Sequence, residues 1–344
     1  MSVNSTVALV RIDDAQAGQR IDNFLVTRVK GAPRSHWYRI LRRGEVRVNK
    51  GRVKPSYRLR SGDLVRIPPL RCAPPTAPAY PARDRLKYLL AAVLYEDERL
   101  MALNKPSGIA VHGGSGLSWG LIEAMRSLRP ELPELELVHR LDRETSGCLL
   151  LSKHRGTLRE LHRLIRNQAV TKRYLTLLAG HLERRRKVDA PLRKNLLRSG
   201  ERVVRIDPQA GKPARTLFRP LCRLEGLTLA EVEPLTGRTH QIRVHAAHLG
   251  MPVVGDEKYG DTGVNRRLRG LGLNHLFLHA STLIFQPSYR DQPLHIETPL
   301  PRELETLIGS IREGNLERKR RGILKPESVK LNHYALKVHR LLLD

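Results

Sequence analysis

Residues 71–83, RCAPPTAPAYPAR, are rich in proline and carry no apolar periodicity, so neither a regular helix nor a central strand can run through them. Such a stretch acts as a stiff, extended linker. It obliges the chain to fold as separate bodies on either side, and 344 residues are enough for two. The expected division is a small body at 1–70, the linker at 71–84, a large body at 85–311 and an extension at 312–344.

The small body has its own pattern. In GQRIDNFLVTRV, Ile21, Phe24, Leu25 and Val29 recur at helical spacing, and SHWYRILRRG places Trp37, Ile40 and Leu41 on one face before Gly44 ends a second short helix. EVRVNKGRVKPSYRLRSGDLVRIP then alternates apolar and charged residues, with turn signals at Asn49-Lys50-Gly51 and Ser61-Gly62-Asp63. Two helices and a hairpin of short strands, wet on one face, are expected.

Charge says what this body meets. Between Lys30 and Arg66 twelve Lys or Arg face two acids, Glu45 and Asp63, and over the whole chain 62 basic residues against 34 acidic ones give a formal charge of +28. A body so far from neutrality repels itself unless it works on a polyanion, and nucleic acid is the first candidate. No apolar run approaches a membrane span, and MSVNSTVALVRIDD lacks the apolar core of a signal peptide, so a cytoplasmic protein with no membrane partner is expected. Arg34, Arg39, Arg42 and Arg43 on the second helix, with Arg47, Lys50 and Arg52 after it, form a ridge suited to phosphates. On charge alone a merely solvated face accounts for them equally well. At 4% aromatic residues the chain cannot offer broad stacking platforms for single strands. Cys72, Cys148 and Cys222 are odd in number and scattered, so reduced thiols are expected rather than a disulfide framework or a CxxC metal pair.

The large body mixes helices and strands. VLYEDERLMALNKPSGIAVHGG reads as a hairpin and a glycine-rich loop, LSWGLIEAMRSL as a helix, CLLLS and TKRYLTLLAG as strands around the amphipathic helix GTLRELHRLIRN, and ARTLFRPLCRL with GLTLAEVEP as an antiparallel pair. Thr239 is placed to cap a further helix that Gly250 and Pro252 end. The expected class is α+β, with a large mixed, mainly antiparallel sheet flanked by helices. Beyond Arg312, the basic run in ERKRRG and the apolar HYALKVHRLLLD read as a solvated extension.

No glycine loop for a dinucleotide or a triphosphate is present, nor HExxH, so cofactor chemistry is disfavoured. His245 and His248 lie one helical turn apart near His240, but no carboxylate or thiol at matching spacing completes a metal shell, and no metal is expected. Ser146 lacks a GxSxG elbow and reads as a loop-holding residue. What remains is Asp142, a lone carboxylate between Arg140 and Arg143 in HRLDRETSG.

HRLDRETSG, residues 139–147, matches the HRLDxxTSG signature of the RluA-type pseudouridine synthases, which isomerise uridine to pseudouridine in structured RNA. LNKPSGIAVHGGSG, KRYLTLLAG and GRTHQIRVHAAHLGMPVVGDEKYG follow the same pattern in order and spacing, so that the resemblance spans roughly residues 10–310. The segment from about residue 18 to 70 resembles the S4 RNA-binding module, and with the VHGGSG loop it points to the large-subunit synthase C subgroup, which acts on 23S ribosomal RNA. The resemblance implies that Asp142 is the catalytic carboxylate, acting at the ribose as nucleophile at C1′ or as base at C2′. It further implies that Arg243 keeps Asp142 ionised, that Tyr174 stacks on the flipped base and removes the C5 proton, and that Arg140 steadies the RNA from which the base was flipped. The implied enzyme is a monomer without cofactor, its partner large-subunit ribosomal RNA. The competing reading is a non-catalytic rRNA-binding or ribosome-assembly protein in which Asp142 only pairs with an arginine; the set Asp142, Tyr174 and Arg243 favours the enzyme.

Overall fold

The computed structural model describes residues 6–14, 16–29, 32, 34–69, 83–113, 119–196 and 202–320, with backbone alone for Arg34, Leu196, Arg202 and 314–320. The proline-rich stretch to residue 82, Cys72, residues 114–118 of the glycine-rich loop and the chain after 320 lie outside the described residues. The chain packs as two units, within Met1–Ala79 and Tyr80–Asp344.

The first unit holds β1 (Ala8–Arg11), α1 (Ile21–Arg28), α2 (Arg34–Arg43), β2 (Arg47–Val48), β3 (Gly51–Arg52) and β4 (Leu64–Ile67). Its antiparallel sheet runs β1-β4-β2-β3. Ile21, Phe24 and Leu25 of α1 and Trp37, Ile40 and Leu41 of α2 bury themselves against Val48, Val65 and Ile67 of the sheet, as the helical spacing requires. The β2–β3 turn places Asn49 (φ 49°) and Lys50 (φ 68°) in the left-handed region that a two-residue hairpin demands, while Gly51 already belongs to β3. The Asn49 side chain donates to Asp63 Oδ1 (2.8 Å) and accepts from the Leu64 amide (2.8 Å), which ties this turn to β4. Asp63, buried, also accepts from Tyr57 and the Arg60 amide, so one of the two acids in the basic segment is structural.

The second unit comprises α3 (Arg83–Leu86), α4 (Tyr88–Ala91), β5 (Val93–Glu96), β6 (Leu100–Lys105), α5 (Leu121–Leu128), β7 (Glu136–Leu137), β8 (Ser146–Ser152), α6 (Arg155–Arg166), β9 (Val170–Ala179) and β10 (Arg186–Asp189). It continues with β11 (Leu192–Leu196), β12 (Arg202–Ile206), β13 (Arg215–Leu224), β14 (Leu227–Pro234), α7 (Gln241–His248), α8 (Thr262–Arg269), β15 (Leu278–Phe285), β16 (Leu294–Glu297) and α9 (Arg302–Arg320). One large sheet runs β10-β13-β14-β9-β15-β8-β6-β5, with β16 added to β15 and β7 to β8; β11 and β12 pair apart from it. Only β15–β8 is parallel among the pairs of described strands, so the sheet is mixed and mainly antiparallel. Apolar side chains fill both faces: Leu149 and Leu151 of β8 meet α5, while Leu150 and Cys148 meet α6, as alternation along a strand dictates. None of the described helices is long and apolar enough to cross a membrane. Helix α9 runs unbroken through the boundary expected at 311, so the first basic residues of the extension are helical.

The register at the centre of the sheet matters most. Ala280 of β15 sits opposite Tyr174 of β9 on one side and Gly147 of β8 on the other, so Tyr174 and the loop entering β8 lie two strand spacings apart, about 10 Å. Gly147 (φ +106°) permits this approach: a Cβ there would lie 2.3 Å from the Ala280 carbonyl oxygen and 2.6 Å from its nitrogen. Next to it, buried Ser146 and His279 meet at 2.9 Å, and His279 Nε2 donates to the Thr298 carbonyl (3.2 Å), which leaves Nδ1 to accept the Ser146 hydroxyl. Ser146 is a structural tie, as expected.

Gly147→Ala should cost about 2–4 kcal/mol, because backbone rather than a mobile side chain blocks the new Cβ. Chemical denaturation measures it, and a loss below about 0.5 kcal/mol would contradict the packing described. Burial pushes the His279 imidazole down to about 4 from its ordinary 6.5. The unfolded chain therefore binds the extra proton first, and the stability this neutral histidine contributes, complete above pH 6.5, declines as pH falls toward about 4 by up to about 1.4 kcal/mol per pH unit. An NMR titration should find His279 neutral at pH 5.5; a midpoint near 6.5 would refute the assignment.

Candidate active site

A pocket of about 380 Å³ opens where the loop before β8, the start of β9 and the start of α7 converge. Asp142 is the one carboxylate among its described lining residues, beside Arg140, Arg166, Lys172, Arg238 and Arg243. Of the residues expected to act together, Asp142, Tyr174, Arg243 and Arg140 all line it.

The flanking arginines do not neutralise Asp142. Arg143 turns outward to the Gly108 carbonyl (2.9 Å) and Glu144 (3.5 Å), and Arg140 is exposed on the pocket wall. The cation that reaches Asp142 is Arg243, Nη1 to Oδ2 at 3.4 Å, from 101 residues further along the chain. Its other edge is committed: Nε and Nη2 donate to the two oxygens of Asp256 at 2.6 and 2.8 Å. Asp256 is fully buried in its side chain, and its Oδ1 also accepts the amides of Lys258 (2.9 Å) and Tyr259 (3.0 Å). Burial alone would raise the Asp256 carboxyl, but the bonds and charge of Arg243 with those amides hold it below its ordinary value. For Arg243, burial works against the charge and the two aspartates outweigh it, so the guanidinium stays charged. Asp256 lies in the VVGDEKYG stretch, yet nothing in its spacing marked it as the partner of Arg243.

The Asp142 loop is braced from behind by the NKPSG segment. Lys105, completely buried, donates to the carbonyls of Pro106 (2.7 Å), Ile109 (2.8 Å) and Arg143 (3.0 Å). Burial pulls its pKa down to about 7, whereas three carbonyl acceptors match the three hydrogens of an ammonium ion and favour the charged form. Ser107 donates to the Glu144 carbonyl (2.8 Å) and Gly108 to that of Arg143 (3.0 Å), so the loop carrying Asp142 is fixed by main-chain contacts on both sides.

Tyr174 and Lys172 share one face of β9, two residues apart, and both line the pocket. Burial first, and then the Asp142 charge, raise the Tyr174 pKa, so the resting side chain is a neutral phenol. Burial also lowers the Lys172 pKa, and among the described residues no side chain forms an ion pair with it.

At α7 the cap expected at Thr239 falls instead on His240, which has left-handed backbone (φ 52°) and makes no side-chain cap bond. Gln241 does the anchoring: its carbonyl accepts from Thr236 (2.7 Å) and the Arg238 amide (3.0 Å), and its amide donates to the Arg215 carbonyl (2.8 Å) and Thr216 (2.9 Å). Gly250 (φ +71°) ends the helix as expected. His245 is buried with both nitrogens occupied, by Thr216 (2.8 Å) and the Ala190 carbonyl (2.9 Å), so it holds α7 to the sheet. Cys148 is buried in the core, its thiol pushed up to about 12 by burial, and Cys222 is half-buried; among the described residues neither forms a disulfide.

In the first unit Arg39, Arg42 and Arg43 occupy the exposed face of α2 opposite Trp37, Ile40 and Leu41, and Arg47, Lys50 and Arg52 are exposed on β2, its turn and β3. Arg34 opens α2, but its side chain lies outside the described residues. Some of these cations are partly engaged: Arg47 donates to the Gly44 carbonyl (3.2 Å), and Arg43 lies 3.8 Å from Glu45.

Two family models match the chain, RNA pseudouridylate synthase over residues 99–248 and S4 domain over residues 19–65. The chain is 50% identical over 313 residues to ribosomal large subunit pseudouridine synthase C of Pasteurella multocida, covering 90% of this chain and 96% of that protein. It is 50% identical over 311 residues to the protein of the same name from Escherichia coli K12, covering 89% and 97%. Among solved structures it is similar to human RNA pseudouridylate synthase domain containing 4, with TM-score 0.56 and 26% identity over 67% of this chain and 96% of that one.

Proposed function

The chain belongs to the RNA pseudouridylate synthase family, and from that premise we propose that it converts specific uridines of 23S, large-subunit ribosomal RNA to pseudouridine with Asp142 as the reacting carboxylate. The observation that carries the reading is a pocket with one described carboxylate set among cations. Such a pocket admits a phosphate-bearing nucleotide and offers a single anionic group to its ribose. Paired-carboxylate hydrolysis would need a second acid. The names of the relatives supply the class of RNA.

The reaction breaks the N1–C1′ bond, turns the base, joins C5 to C1′, and moves a proton from C5 while N1 gains one. Atoms balance without a co-substrate, so the site has to provide a carboxylate at C1′ or C2′, a proton acceptor for C5, and room to hold a flipped base. Arg243, fixed by Asp256, holds Asp142 in place until it engages the ribose. Tyr174 packs its ring on the base as a neutral phenol. Once the Asp142 charge is used at the ribose, the repulsion that helped to raise the Tyr174 pKa ends, so the phenol can pass its own proton to the N1 freed from C1′ and, as phenolate, take the C5 proton in its place. Arg140, on the exposed wall, fills the place in the RNA that the flipped uridine left. Lys172 and Arg166 meet backbone phosphates in this reading.

Residues 1–70 then serve as the RNA-gripping module, 85–311 as the catalytic one, with 71–84 between them and 312–344 as an extension. The proposal takes the chain as a monomer; a substrate that is ribosomal RNA supports work in the cytoplasm. The binding-only alternative gives no reason to bury Asp256 and Arg243 beneath a carboxylate that repels phosphate.

Asp142→Asn should leave folding and RNA affinity near wild type and abolish release of tritium from C5-labelled uridine in large-subunit rRNA, since the amide keeps the shape and loses the charge. Residual turnover within about tenfold of wild type would overturn the assignment. Replacing Arg39, Arg42 and Arg43 with Gln should weaken binding across RNA sequences and reduce the salt dependence by up to about one unit of slope per lost contact, with the saturating single-turnover rate preserved. A collapse of that rate at unchanged affinity would show that the ridge helps build the active site.

A further inference from the structure

The geometry points to His240 as the positioning residue for Asp142, with Tyr259 deciding which of its ring nitrogens carries the proton. His240 Nε2 lies 3.7 Å from Asp142 Oδ2, the same oxygen that Arg243 reaches. Two nitrogens on Oδ2 leave Oδ1 as the oxygen presented to the ribose. The residue is held for this: its left-handed backbone is a conformation that side-chain-bearing residues adopt rarely, and it aims the ring from the N-terminus of α7 back at the Asp142 loop.

The proton on that ring is set by a short chain of hydrogen bonds. The Tyr259 hydroxyl accepts the Val204 amide of β12 at 2.9 Å and lies 2.9 Å from His240 Nδ1, with the two rings edge-on at 5.6 Å. With one lone pair engaged by Val204, the hydroxyl spends its hydrogen on Nδ1. Neutral His240 must then carry its own hydrogen on Nε2, facing the carboxylate. The opposite tautomer would set a lone pair against Asp142 and push the carboxylate out of line.

The groups facing His240 are Asp142 from the loop before β8, Arg243 from α7, and Asp256, Lys258 and Tyr259 from the segment after it. Burial lowers the His240 pKa, Arg243 and Lys258 act in the same direction, and Asp142 and Asp256 oppose them. The ring is therefore neutral near pH 7, where the choice of tautomer has consequences. Val204 belongs to the β11–β12 hairpin, so the position of that hairpin is coupled to the orientation of the catalytic carboxylate. None of this was visible in the sequence, where His240 stood only as a weak metal candidate.

The inference rests on the proposed isomerase reading. Its test is single-turnover tritium release by the full chain on saturating large-subunit rRNA transcript from pH 6 to 8.5. Tyr259→Phe should slow the rate about tenfold at pH 8 with RNA Kd unchanged, because the neutral ring loses the bond that fixes its tautomer. His240→Leu should lose about 10- to 100-fold, and His240→Gln, whose amide N–H replaces Nε2–H, should recover most of that loss. In the His240→Gln background, Tyr259→Phe should cost nothing further. A Tyr259→Phe deficit of equal size in both backgrounds would show that Tyr259 only anchors Val204, and would overturn the inference. His240→Gln leaves Val204 untouched, so a misfolded hairpin in Tyr259→Phe does not decide the matter. Wild-type chain without any tritium release would instead contradict the isomerase reading itself.

Discussion

Arg243 is shared between two aspartates, and the rest of the site depends on that arrangement. Its side chain is 12% exposed and that of Asp256 is 0%, so neither charge survives burial without the other. Asp142, at 21%, still meets the pocket. The bidentate bond to Asp256 fixes the plane of the guanidinium, which leaves one edge to hold Asp142. Removing either end of a buried pair typically costs about 3–5 kcal/mol, far more than a surface ion pair, so the orientation is enforced by the stability of the fold.

The sheet supplies the other half of the geometry. β15 lies between the strand that carries Tyr174 and the strand entered from the Asp142 loop, and Ala280 is the point of contact for both. Small residues at Gly147 and Ala280 let the backbones meet, while Lys105 and Ser107 tie down the loop through main-chain carbonyls. The Asp142 loop is irregular, but its Arg143 carbonyl accepts from buried Lys105 and its Glu144 carbonyl from Ser107, which gives it a rigidity that a bare loop lacks. In the proposed isomerisation such rigidity would keep Asp142 in line with the ribose.

Local signals in the sequence were legible and long-range ones were not. The helical spacing of Trp37, Ile40 and Leu41, the β5–β6 hairpin and the stop at Gly250 each follow from a few neighbouring residues. The cap at α7 did not follow: Thr239 has the right chemistry for it, but Gln241 binds Thr236 and Arg238 and thereby sets the turn one residue later. The β11–β12 pair went unrecognised because neither LRKNL nor RVVRI alternates apolar and polar residues in the way that marks a strand. Asp142 was found through a motif; Asp256 and Tyr259 were not singled out, because partnership with Arg243 and His240 is a property of the folded chain. Charge also marked the ridge of Arg39, Arg42 and Arg43 without saying what it binds.

The proposed activity is that a pocket with one described carboxylate among cations, carried by a strongly basic chain, rewrites particular uridines of large-subunit ribosomal RNA. The measurement that tests this most directly is a nucleotide-resolution map of pseudouridine in large-subunit rRNA from cells with and without the protein. The account predicts that a small set of positions reverts to uridine when the protein is absent and regains pseudouridine when it is restored. Identical maps in its presence and absence would contradict it.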